Sequence, residues 1–459
     1  MREFYSWPWV ETQVAQTIEI WNAGAQRPAK GGPRYGPVKQ QQREIAYDEG
    51  LLAVEREARR APLTETDRLG MQDRIVASFA RFSASALDLP PDAIQLLTHD
   101  FLPVGTSLAR WARRFDTNLS MPDIIQACRN AWTACGLQPL LGERVHITPS
   151  ILGYSLLYPY SDNYLDSEAV SAQEKVRFSE RFRKRLRGDN LTAQNSREAA
   201  LWTMVQLIED EYPRTSHPQV FDCLLAIHRA QEQSIAQVTE FGRCEDSELL
   251  RVSCAKGGTS VLADACLARG WLSEQESQFA FEWGVLLQLG DDLQDVREDL
   301  HRGSVTLFSL AAAQGRALDG LVIQLLNFSD RVGAGMDFLP HGSAMLRNLL
   351  KMSWRSLIVG AVASSHEFFS PGFLKEAELS SPFRFEFLRA RRERLTSRQG
   401  LYATLFDAFL QAPEDDNGTL PPPYPQSAWT VESDPEPVAS LTPYGNERRG
   451  LELYLTMPE

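Results

Sequence analysis

Cysteine is sparse in this sequence: six residues in 459, at positions 128, 135, 223, 244, 254 and 266, with no CxxC pair. That scatter excludes a disulfide framework and a cysteine zinc site, and fits a reducing compartment. No apolar run reaches the roughly 18 residues of a transmembrane helix, and the opening MREFYSWPWVETQ has no apolar stretch of signal-peptide length. The expectation is a cytoplasmic protein, with a peripheral membrane contact left open. Basic charge is in deficit, 47 Lys and Arg against 60 Asp and Glu, for a net charge of −13. A general nucleic-acid binder needs the opposite balance to neutralise phosphates, so no nucleic-acid partner is expected. A local basic pocket for a small phosphorylated substrate is compatible with this charge. Strand-type alternation is rare, no repeat of fixed period is evident, and GxxxxGK is absent.

What is present is helical period, over and over. Hydrophobic residues make up 43% of the chain and charged ones 23%, ordinary for a globular protein with a large core. Helical patterns cover 9–25 and 38–60, separated by the turn-rich KGGPRYGP (30–37), then 64–87 and 90–115 with a break near Pro103–Gly105. They continue over 121–137, capped by Ser120 with Asp123 at the third helical position, and over 148–189, 196–214 (capped by Ser196), 217–237 and 247–272. After the stretch 284–308 come 309–328, 342–365 and 381–410. The fold class is all-α. Residues 1–90 read as an N-terminal helical arm and 91–410 as one large helical domain. Residues 411–459, proline-rich, acidic and without period, read as a largely disordered tail.

The chain is organised around GVLLQLGDDLQDVREDLHRGSVTLF (284–308). Asp291, Asp295 and Asp299 recur every four residues and drift only about 80° around a helix, so they form one acidic ridge. Asp292 lies on the same side and Glu298 flanks it. Like charges at this spacing repel, and burying them unpaired is costly. Divalent metal is one resolution, because Mg²⁺ takes one or two carboxylates together with substrate phosphates. A solvated helix face is the competing reading. The same logic recurs in ILGYSLLYPYSDNYLD (151–166), where an apolar run leads into Asp162 and Asp166; an exposed turn or helix cap at Asp162–Asn163 is the alternative there. Between the two lies SCAKGGTS (253–260), with Lys256 followed by two glycines inside a helical pattern. The glycines allow a kink and close approach of a ligand to the backbone, or they mark a simple helix break. The basic run Arg181, Arg183, Lys184, Arg185 and Arg187 reads as a solvated face, and His228 as a structural histidine.

Together these segments resemble the class I isoprenoid synthase superfamily over roughly residues 95–370. DDLQD (291–295) looks like the second aspartate-rich motif of trans-prenyl diphosphate synthases, and DLHRGSVTLFSLA (299–311) is similar to the segment that follows it. QLGDDLQDVREDLHRG (288–303) also resembles the second-motif region of squalene and phytoene synthases, and Asp291, Asp295 and Asp299 have the ligand spacing of class I terpene cyclases. DNYLD (162–166) looks like the first motif, and KGGTSVLADACL (256–267) like the lysine-bearing segment that contacts diphosphate. Asn163 stands where chain-elongating enzymes carry a second Asp, and Ser304 where they carry Lys. Both departures argue against head-to-tail elongation.

The resemblance implies a bundle of the isoprenoid synthase type that binds Mg²⁺ (with Mn²⁺ as the alternative ion) and a prenyl diphosphate. Catalytic and metal-binding acids would be Asp162, Asp166, Asp291 and Asp295, with Asp292 and Asp299 as further metal ligands. Lys256, Arg251 and Arg302 would bind diphosphate. Tyr154, Tyr158, Trp202, Phe281 and Trp283 would line the pocket, each with plain core packing as the alternative. The reaction would be ionisation of the diphosphate, then cyclisation or coupling of the allylic cation. The alternatives are a trans-prenyltransferase using isopentenyl diphosphate and a non-catalytic prenyl-lipid-binding protein.

Overall fold

The computed structural model describes residues 4–24, 32–60, 64–167, 170–236, 245–411 and 420–421, and every regular element among them is helical. The helices are α1 (Trp7–Gly24), α2 (Pro37–Ala58), α3 (Glu65–Phe82), α4 (Pro91–Leu96), α5 (Leu102–Phe115) and α6 (Met121–Leu140). There follow α7 (Pro149–Asp166), α8 (Ala172–Arg187), α9 (Ser196–Glu211), α10 (Pro218–Ala236), α11 (Asp246–Arg269) and α12 (Glu274–Gln294). The last are α13 (Val296–Arg302), α14 (Leu307–Ala313), α15 (Asp319–Asp337), α16 (Ala344–Ser364), α17 (Pro371–Glu378), α18 (Phe385–Ser397) and α19 (Gln399–Leu410). No helix among the described residues is long and apolar enough to cross a membrane.

Local chemistry sets the starts of these helices. Ser120 and Asp123 close the expected reciprocal cap on α6. On α9 the capping side chain is Asn195, whose Oδ1 accepts from Glu198 N at 2.9 Å, and not Ser196, which is already the first helical residue. The expected break at Pro103–Gly105 does not form: Pro103 sits in the first turn of α5, and the irregularity lies just before it as a π-turn, Leu97–Phe101, running directly into α5. Trp132 seals it: its indole N–H donates to the Phe101 carbonyl at 2.9 Å, and its ring lies 2.6 Å from where a Cβ on Gly105 would be.

α11 is the hub of the bundle. α12, α10, α6 and α1 all pack on it, α15 and α16 lie against α12, and α7 is held between α6 and α9. The crossing of α11 and α12 is backbone-tight. A Cβ on Gly284 would stand 2.0 Å from the Gly257 carbonyl oxygen, and one on Gly258 would stand 2.5 Å from the Phe281 ring. The Gly257–Gly258 pair is therefore not a helix break, since α11 runs straight through it. The glycines let two helices meet.

The segment expected as an N-terminal arm contributes to two cores. Val10, Val14 and Trp21 of α1 belong to the main one. Tyr47 and Leu51 of α2 build a second with Phe383, Leu395 and Tyr402. An acidic row on α2 meets a basic row from the far end of the chain: Glu44 with Arg384, Asp48 with Arg391, Glu55 with Arg394 and Arg398. The basic run on α8 is a solvated face only in part: Lys184 and Arg187 are exposed, whereas Arg181 and Arg185 are paired. Arg181 grips Glu198 through two nitrogens, and Arg185, which is buried, grips Glu209 in the same way. His228 is buried against Ser179 and Glu232, a structural histidine. Of the tail, Leu420 packs on the main core and the Pro421 carbonyl accepts from the Trp111 indole at 2.8 Å. Residues 412–419 and 422–459 lie outside the described residues.

Candidate functional site

The acidic ridge forms, across a joint. α12 ends at Asp295 (φ −90°, ψ 2°) and α13 begins at once. The helical ladder continues through the joint: Asp295 N donates to Asp291 O at 2.8 Å, and Asp299 N to Asp295 O at 2.9 Å. Asp291, Asp295 and Asp299 thus stay stacked, each partly exposed. The Asp299 carboxylate accepts from Thr306 Oγ1 at 3.5 Å, and Gly303 (φ +72°) turns the chain after α13.

Asp292 does not share the ridge. It points inward, accepting from Ser253 Oγ at 2.7 Å and Gln288 Nε2 at 2.8 Å. Burial pushes its carboxyl up to about 6, while those two bonds and the nearby Lys256 charge pull the other way. The glycine crossing explains this arrangement. With α11 and α12 antiparallel and in contact at Gly257 and Gly284, the turn of α11 carrying Ser253 and Lys256 meets the turn of α12 carrying Gln288 and Asp292. Lys256 is half-buried there, whereas Arg251 is exposed and Arg302 is paired with Glu298 on its own helix at 2.5 Å.

Asp162 and Asn163 lie near the end of α7. Asp162 is part-buried and accepts from Ser161 Oγ at 2.9 Å. The side chains of Asp166 and Tyr158, on the same helix, lie outside the described residues. Asn163 Nδ2 donates to Asp123 Oδ1 on α6 at 2.9 Å. Six residues further along α6, about 9 Å of rise, Arg129 Nη2 reaches Asp291 Oδ1 at 3.1 Å. One helix therefore touches both acidic segments within two turns. Neither Asp123 nor Arg129 stands among the site residues expected from sequence. Asp123 was read as a cap, and Arg129 carries no local pattern that would mark it.

The bond from Asn163 makes a prediction. Asn163→Asp would set a carboxylate against Asp123 in place of a donor, and should lower stability at pH 7 by about 1–3 kcal/mol. The loss should shrink as pH falls and the pair takes up a proton. Urea unfolding at pH 7 and pH 4.5 reads it; an equal deficit at both values would count against the contact.

The aromatic candidates turn to different neighbours. Phe281 is fully buried between Gly258 and Trp9. Trp283 lies against Phe279 and Trp354. Trp202 stacks on Phe182 of α8. Tyr154 points into the space between α7 and α11, donating to the Ser260 carbonyl at 3.3 Å. One helical turn beyond Ser260, Asp264 is buried, with Oδ1 accepting from Asn130 Nδ2 at 3.3 Å and Oδ2 unpartnered. Burial holds that carboxyl well above the ordinary carboxylate range. A polar column (Lys256, Ser260, Asp264) thus descends α11 from the acidic end into an apolar bundle.

The ridge and Asp162 offer carboxylate oxygens, the donors a hard divalent cation takes, so the residues suit Mg²⁺ by chemistry. Among the described residues, no three acids, histidines or cysteines stand close enough to hold an ion by themselves. No family, no curated protein and no solved structure matches this chain.

Proposed function

We propose that the protein is a Mg²⁺-dependent class I synthase that ionises a prenyl diphosphate and cyclises or couples the allylic cation. The observation that carries this reading is the bracketing by α6. Two acidic segments 125 positions apart, at Asp166 and Asp291, border the same two turns of one helix through Asn163–Asp123 and Asp291–Arg129. The half-buried Lys256 beside Asp292 adds fixed positive charge there.

Bound Mg²⁺ would neutralise charge on the departing diphosphate; Asp162, Asp291, Asp295 and Asp299 would hold it. Lys256 and Arg129 would receive the diphosphate oxygens as the C–O bond breaks and its electron pair leaves with them. The apolar bundle beneath would keep water from the cation. A second reading, a non-catalytic prenyl-lipid binder, rests on Asn163, an amide in the first acidic segment that is bonded to Asp123. A chain-elongating transferase is less favoured, because Asn163 is committed to Asp123.

Diphosphate release by the purified full chain with Mg²⁺ tests this. Prenyl diphosphates of increasing length are offered with and without isopentenyl diphosphate, and products are extracted. Release should fall at least about 100-fold in Asp291→Ala and in Asp162→Ala. Release only with isopentenyl diphosphate would mean elongation. Binding without release at any chain length would leave the lipid binder.

A further inference from the structure

The ion pair across α6 and α12 deepens that reading and rests on it. The Arg129 guanidinium spends one arm on Asp291 Oδ1 at 3.1 Å and the other on Gln126 Oε1 at 3.0 Å. Its side chain is 23% exposed and that of Asp291 48%. The pair is thus open to solvent on the carboxylate side, and such pairs are weak. Asp291 is the first acid of the ridge, and while it serves Arg129 it is committed to a cation of the protein's own. A phosphate group competes well for a guanidinium, because its oxygens match the planar fork in pairs and carry more charge than a carboxylate.

We propose that Arg129 is the receptor for the diphosphate group and a latch on Asp291: an incoming diphosphate takes the guanidinium, and only then is the Asp291 carboxylate free for a divalent cation. The exchange needs no helix movement. α6 stays fixed to α7 through Asp123 and Asn163 and to α11 through Asn130 and Asp264, so only the Arg129 side chain turns. Anion and cation binding become coupled through one residue, and by linkage the coupling runs both ways.

The test measures binding without turnover, on wild type, Arg129→Gln and Arg129→Lys, with melting curves to establish folding. Mn²⁺ alone is titrated by the loss of its free-ion paramagnetic resonance signal, and inorganic pyrophosphate with Mg²⁺ by calorimetry. In Arg129→Gln the two affinities should move in opposite directions: Mn²⁺ alone about 3- to 10-fold tighter, pyrophosphate about 10-fold weaker or more. Arg129→Lys keeps a charge for Asp291 but loses the planar fork, so Mn²⁺ affinity should stay near wild type while pyrophosphate affinity falls part of the way. A purely structural role would weaken both together, and that result, or no change in either, overturns the latch while leaving the synthase reading intact. Wild type that binds no pyrophosphate at any Mg²⁺ concentration would overturn both.

Discussion

Gly284→Ala should be among the most damaging single-methyl changes available to this chain, costing about 3 kcal/mol or more. The new Cβ would stand 2.0 Å from the Gly257 carbonyl oxygen, 2.8 Å from its carbon and 3.0 Å from Val261 Cβ. The obstacle is backbone, which no rotamer change can move. Relief requires α11 and α12 to separate, and α11 is the helix on which α1, α6 and α10 also rest. Six residues on, Gly290 has nothing within 4 Å of its notional Cβ. Gly290→Ala should therefore stabilise by about 0.5–1 kcal/mol, by restricting the unfolded chain and improving helix propensity. Two identical substitutions in one helix thus carry opposite signs. Thermal melts read both; a Gly284→Ala midpoint within a degree of wild type would show that the crossing is looser than described.

Glu55→Ala should cost about 1–3 kcal/mol, the usual penalty for taking the acceptor from several charge-assisted hydrogen bonds whose arginines stay partly solvated. The Glu55 side chain is 1% exposed and gathers three arginines and a tyrosine: Arg394 at 2.8 and 2.9 Å, Arg398, Arg59 at 3.8 Å and the Tyr402 hydroxyl at 3.1 Å. Burial raises its pKa, but the hydrogen bonds from Arg394 and Tyr402 outweigh that and hold it below the ordinary range. The sign follows from linkage. A depressed folded-state pKa contributes stability that is complete above the unfolded value, about 4.3, and is lost as pH falls through the folded value. The damage should be regional. Amide exchange should accelerate in α2, α18 and α19 and stay slow in α11 and α12; uniform acceleration, or none, would refute a separate second core.

Helix content was legible because apolar period and caps are local. The helix read over 9–25 formed as α1, and the Ser120–Asp123 cap formed on α6. The acidic ridge was legible for the same reason, since spacing four survives even the joint at Asp295. What sequence could not say is which face meets what. Gly257 and Gly258 have the same letters whether they admit a ligand or a neighbouring helix. Asp292 is one residue from the ridge, and the α11–α12 register turns it inward. Arg185 looks like part of a solvated run until Glu209, 24 residues away, is brought beside it. Arg129 was missed because its partner lies 162 positions downstream. The stretch 366–380, which carries α17, has no pattern strong enough to read.

The two-core construction ties the first segments of the chain to some of the last. Tyr5, just before α1, contacts Ser277, and the Gly24 carbonyl at the end of α1 accepts from Asn327, separations of 272 and 303 residues; Glu44 waits for Arg384 across 340. At about 5–20 residues per second, these early segments emerge roughly 14–68 s before those partners. Tyr47 finds Phe82 soon after synthesis, but Val10, Val14 and Trp21 of α1 wait for α11 and α15, so the nascent chain carries one greasy helix without its native partners for most of its synthesis. How long α1 stays without its partners is set by the length of chain still to be made, and not by the intrinsic speed of folding.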